Sequence, residues 1–241
     1  MTKLLLVFSF LLAAAAPPAH YLSGKHVTVY YTPKTGISTA RNYLSLIDKM
    51  YNDESVKLGI GAGGRLRARI CSDVYEYSNY TQVDTFLAPL FKDGVLYIIK
   101  KSSTSDPVYR RRLETAVVQG ILARIRYNGA PWWLVYSAAV YESGQYKDLT
   151  PPTVESVRYF ADLDERIQDV STASELSDLN YYLGATGRFF DAQYGQGSLI
   201  KLIRQFTHRT TINDAVSRVF HDNLDHVETT WHDYISGTAG K

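Results

Sequence analysis

The sequence predicts an α+β fold, and three observations predict it. Runs with β-rich composition fall only in the first hundred residues. Helix start and stop signals govern the chain from Asp106 onward. No internal repeat or long linker divides the two regions. A length of 241 residues suits a single large core.

Taken in order, the first nineteen residues read as a signal peptide. Lys3 supplies the charge, residues 4–12 the apolar run, and residues 13–16 small side chains for cleavage. The run is shorter than the ~20 residues a bilayer crossing needs, so no transmembrane segment is expected in the mature chain. Residues 20–241 then form one domain in three parts. An α/β part covers 20–105, a central helix pair 106–145, and a helical part 146–241.

Residues 26–31 (HVTVYY) are a strand ended by Thr32-Pro33. Ser38 opens a helix to about Asn52, with Tyr43, Leu44, Ile47, Met50 and Tyr51 on one face. Leu66, Ala68 and Ile70 alternate with Arg65, Arg67 and Arg69, a strand with one basic, solvated face. Residues 95–99 (VLYII) form a more buried strand. Asp106 is an N-cap and Pro107 a first-turn residue for a helix to about Tyr127, stopped by Asn128-Gly129. Pro131 opens the next helix, which breaks at Gly144. Pro151-Pro152 opens a further stretch. Residues 180–194, 198–207, 211–220 and 222–235 read as four short helices.

A net charge of +2 argues for neither nucleic acid nor an anionic membrane as partner. Cys71 is the only cysteine, so no internal disulfide forms. Export without disulfides points to a periplasmic or secreted protein. The 19 tyrosines suit half-buried surface or a binding face.

Several motifs reduce to ordinary structure. Residues 59–64 (GIGAGG) match a dinucleotide-binding pattern, but a helix precedes them and a strand follows, the reverse of what that site needs. His221 and His232 stand ~16 Å apart on one helix and cannot share a metal. Asp222 is expected to cap that helix, and a pairing of Asp222 with His226 is at most a two-ligand arrangement. His26 and His208 have no evident partner. Asn79-Tyr80-Thr81 is a glycosylation triplet. Arg110 to Arg112 read as a solvated cationic face.

The most informative stretch is LETAVVQG followed by APWWLVYSAAVYESG. It resembles the core of the gluzincin metallopeptidases, specifically the peptidase MA-like domains. These carry H-E-x-x-H on one helix and, about eighteen residues later, a W-L-x-E-G-x-A-x-Y helix with the third ligand. In that arrangement two histidines hold zinc and the glutamate acts as base on zinc-bound water. The resemblance implies a zincin-like fold and places the first histidine on Leu113, the catalytic glutamate on Glu114, the second histidine on Val117 and the third ligand on Tyr136. Leu and Val offer no lone pair, and a phenol ionises only near pH ~10. The resemblance therefore implies no catalytic residue beyond the retained Glu114 position, no metal and no cofactor.

The implied function is that of an exported pseudopeptidase, holding a peptide or protein in a groove lined by Glu114, Trp132, Tyr136 and Tyr141, or serving as an envelope scaffold. Two alternatives stand beside it: a metal-independent hydrolase using Glu114, and an active zinc peptidase with ligands elsewhere. Leu113, Val117, Gly120 and Ile121 also form the stripe of an ordinary buried helix.

Overall fold

The computed structural model describes residues 20–61, 64–125, 129–152, 157–207 and 209–239. The signal-peptide reading of residues 1–19, His208 and the Asn128 stop signal lie outside them. The architecture is α+β, with a five-stranded mixed sheet at the N-terminal end and helices after it. No helix among the described residues is long and apolar enough to cross a membrane.

Strands β1 (His20–Ser23), β2 (Val27–Tyr31), β3 (Leu66–Cys71), β4 (Leu90–Lys92) and β5 (Val95–Ile99) lie in the order β1-β2-β3-β5-β4. β2, β3 and β5 are parallel, while β1 and β4 run antiparallel at the two edges. Register puts Val29, Ala68 and Leu96 in one row, all fully buried. The alternate row, Tyr30, Arg69 and Tyr97, faces the other side. There the Arg69 guanidinium lies 4.0 Å from the centre of the Tyr80 ring. Tyr80 belongs to α2 (Val74–Thr81), which therefore covers part of the basic face.

Helix α1 (Ile37–Lys57) packs on β2, and α3 (Pro107–Leu122) packs on β4, β5 and α1. The buried face of α1 is Tyr43, Ile47, Met50 and Tyr51, as their spacing predicts, but it continues onto Glu54. The helix starts at Ile37 behind Gly36 rather than at a Ser38 cap. Gly120 of α3 meets the sheet so closely that an added Cβ would lie 2.7 Å from Leu66 Cδ1. Asp106 caps α3 as expected, accepting from Val108 N at 3.0 Å.

The helical half contains α4 (Trp132–Glu142), α5 (Phe160–Asp169), α6 (Ala173–Tyr194), α7 (Ser198–Ile203), α8 (Ile212–Phe220) and α9 (Leu224–Ala239). Helix α6 begins seven residues earlier than the sequence suggests, behind a Thr172/Glu175 capping box. It packs on α4 at Gly187, where a Cβ would stand 2.3 Å from Tyr141 Cβ. Trp133 stacks on Phe160 at 4.2 Å, and Trp231 Nε1 donates to Thr186 Oγ1 at 3.0 Å, tying α4, α5, α6 and α9 into one core. Each fully buried large side chain there contributes roughly 1.5–3 kcal/mol.

Some single-residue expectations change. Asn223, not Asp222, caps α9, accepting from His226 N at 2.8 Å. Asp222 instead meets His226 Nδ1 at 2.8 Å, a surface pair. His221 closes α8 in a left-handed conformation, φ 57°. His26 is buried and stacks on Tyr51 at 5.5 Å.

Candidate functional site

Helix α3 lies between the sheet, α1 and α4, so each of its faces meets different chemistry. Leu113 and Val117 are both fully buried in the core. Glu114, one residue on, is half-buried and hydrogen-bonds to Glu54 of α1. Two carboxyl groups can share a hydrogen bond only if one carries a proton. Burial, then the bond to Glu114, push Glu54 up to about 7, while Lys57 opposes the shift. Lys57 Nζ stands 3.6 Å from Glu54 Oε2 and 3.2 Å from Glu142 Oε2, and donates to the Glu142 carbonyl at 2.5 Å. Glu142 joins this group because Lys57 reaches across from α1 to the end of α4. The result is a three-carboxylate cluster closed over one lysine.

A different face of α3 borders a cavity of about 110 Å³. Its α3 wall is Arg112, Thr115, Ala116 and Gln119. Leu90 of the edge strand β4 closes one side, and Tyr136 of α4 and Asn180 of α6 close the others. Thr115 Oγ1 donates to Gln145 Oε1 at 2.6 Å and lies 2.7 Å from Ser143 Oγ. Gln119 and Asn180 are each only 8% exposed, yet neither side chain makes a hydrogen bond among the described residues. Arg112 was expected on a solvated face. It is half-buried instead, donates to the Phe86 carbonyl, and burial lowers its pKa.

The expected convergence of Leu113, Val117 and Tyr136 is not what this cavity shows. Only Tyr136 lines it. The physical reason is helical phase: at 100° per residue, Thr115 and Gln119 share a face that Leu113 and Val117 do not. The four expected groove residues also separate. Glu114 is held by Glu54. Trp132 is 44% exposed and meets Tyr136 edge-on at 6.1 Å. Tyr141 donates to Asp191 Oδ2 at 2.8 Å and stacks on Tyr146, inside the α4–α6 contact.

No protein-family model, curated protein or solved structure matches the chain. The chemistry of the cavity therefore has to be read from its own side chains. A hydroxyl, three carboxamides, a phenol and a guanidinium can donate and accept hydrogen bonds and hold an anion. They offer a zinc ion no thiolate, imidazole or carboxylate. Among the described residues no cluster of three or more His, Cys, Asp or Glu is arranged to hold a metal. Cys71 is buried and its thiol is pushed up to about 12 by burial, so it is an inert core residue. A signal for the cavity wall was present in the sequence. Thr115 and Gln119 are polar residues one turn apart inside an otherwise apolar stretch.

Proposed function

We propose that the chain is an exported, metallopeptidase-like domain that binds an extended peptide without cleaving it. One observation carries the reading: a single cavity is bounded together by the sheet's antiparallel edge strand, by Thr115, Ala116 and Gln119 of α3, and by Tyr136 of α4. Those three α3 positions stand at i, i+1 and i+4, the spacing of H-E-x-x-H. The gluzincin resemblance is therefore better laid two residues later than on Leu113, Glu114 and Val117. Tyr136 keeps its place as the third ligand position.

In this register the ligand positions hold a hydroxyl, a carboxamide and a phenol, and the general-base position is Ala116. This donor set does not fit zinc, and alanine moves no proton. What remains is a recognition surface. β4 is the last strand of the sheet, so its outer edge has no strand partner among the described residues. An extended segment can pair with such an edge through its main chain and place alternate side chains in pockets beside it.

The test is a titration with acetylated, amidated seven-residue peptides of strand-forming sequence, read by fluorescence anisotropy and by mass spectrometry. Saturable binding without hydrolysis, with or without added zinc, is the expected outcome. A Gln119→Trp variant that fills the cavity should weaken that binding. Absence of any saturable binding, or zinc-dependent cleavage, would sink the reading. Export is checked separately, since protein recovered outside the cytoplasm should begin after the first nineteen residues.

A further inference from the structure

The cavity carries unused polar capacity of one kind. Gln119 and Asn180 are more than nine-tenths buried and, among the described residues, have no side-chain hydrogen bond. Their amide atoms are not sealed from solvent, so they open onto the cavity and are free to meet a ligand there. Gln145 uses its side-chain oxygen to accept from Thr115, which leaves its NH₂ to donate. Arg112 adds a positive charge. It donates to the neutral carbonyl of Phe86, and among the described residues it has no carboxylate partner. A cation so placed has given up water without gaining a counter-charge. Among the described residues no acidic side chain lines the cavity. Its other walls include Leu90, Ile167, Leu179 and Leu183, which exclude water from whatever the polar groups hold.

We propose that this cavity takes one acidic side chain of a peptide laid along β4, with Arg112 as its counter-ion and Gln119, Gln145 and Asn180 as hydrogen-bond donors. The proposal rests on the peptide-binding reading above and adds the class of residue that enters. Charge complementarity selects a carboxylate, because four donor-bearing side chains line the cavity and one is ionic. Size selects a single side chain, since about 110 Å³ holds only a few heavy atoms. Position selects an internal residue over a chain terminus. A segment paired to an edge strand continues past the cavity, and every second side chain points to the same side.

Four peptides test this, identical except at one point: acetylated and amidated with a central Glu, Gln or Leu, and a central-Leu peptide with a free C-terminal carboxylate. Binding is measured by calorimetry at two salt concentrations. The Glu peptide should bind about tenfold more tightly than the Gln peptide, as a buried charge-assisted pair gives. The preference should shrink with salt and vanish in Arg112→Gln. The peptide comparison on the unmodified protein stands even if that variant fails to fold. Equal binding of the Glu and Gln peptides overturns the proposal while leaving the peptide-binding reading intact. Preference for the free-terminus peptide overturns it in favour of a terminal carboxylate. Failure of all four to bind removes the underlying reading itself.

Discussion

Helix α3 carries two polar sites on different faces, and they solve the same problem in opposite ways. On one side Glu114 meets Glu54 and, through Lys57, Glu142. That site is rich in charge but closed: its carboxyl groups face one another or Lys57, even though Glu54 Oε2 has only the lysine's charge and no hydrogen bond. On the other side Thr115 and Gln119 face a cavity with neutral donors, one guanidinium and no acid. That site is poor in charge but open, because its donors are left over. A glutamate next to a degenerate motif attracts attention as a base, yet here it is the satisfied group. The functional capacity lies with residues that sequence reading passes over as ordinary. Unmet hydrogen-bonding demand in a buried wall is a better pointer to a ligand than a titratable residue already engaged.

The largest expected effect comes from breaking the wall that only the open site depends on. Helix α6 brings Leu179, Asn180 and Leu183 to the cavity and is seated on α4 through Gly187. A methyl there meets Tyr141 Cβ at 2.3 Å, an atom fixed to the α4 backbone. Gly187→Ala should therefore destabilise by about 3 kcal/mol, although the same change in an unobstructed helix stabilises. Thermal or denaturant unfolding measures this. The pH dependence set by Glu54 should survive, since α6 supplies no group to that cluster. An unchanged melting point would mean the two helices are not packed as closely as described.

The legibility of the fold divides along the same line. Strong periodicity gave the core of α1, β3, β5, α3 and α4, where several residues repeat a pattern against one neighbour. The edge strands β1 and β4 have only four and three residues, too few to alternate visibly, so the sequence did not reveal them. Yet β4 borders the cavity. Helix α2 was also missed, although Asp73 and Glu76 supply its first-turn signals. Motif identity places the α3 register on Leu113 and Val117, whereas the polar face of the helix is Thr115 and Gln119. Thr115 and Gln119 were legible as an i, i+4 polar pair. Their lack of partners was not, because that depends on α5 and α6, far along the chain. Glu54 was legible as the continuation of the Ile47–Tyr51 face, but its companions come from α3 and α4.

The closed site makes a prediction of intermediate size. Glu54 has a folded-state pKa of about 7, above the ~4.3 of an unfolded glutamate. The folded state thus binds more protons between those values. Its stability contribution is complete below about pH 4 and is lost as pH rises through 7. Glu114, Lys57 and Glu142 are the charged groups facing it. Urea unfolding at pH 5 and pH 8 should show a loss of about 2 kcal/mol from this group. Glu54→Gln, which mimics the protonated form, should be more stable than the parent at pH 8 and nearly equal to it at pH 5. Stability that rises between those pH values in the parent but not in the variant would reverse the sign and refute the shared-proton cluster.

The smallest expected effect on stability separates the two sites most sharply. In the closed cluster, removing Lys57 or Glu114 strands a buried carboxyl group, which ordinarily costs about 1–3 kcal/mol. Gln119 has no partner to strand. Replacing it with leucine, of similar size and apolar, removes an amide that has no protein partner and should leave stability unchanged or raise it by up to about 1 kcal/mol. Thr115→Val is the internal control, because its hydroxyl is bonded to Gln145 and stands beside Ser143. That variant should lose about 1 kcal/mol. Peptide binding should fall in both. If Gln119→Leu destabilises as much as Thr115→Val, the Gln119 amide is holding the fold together, and the distinction between a satisfied face and an unsatisfied one no longer describes α3.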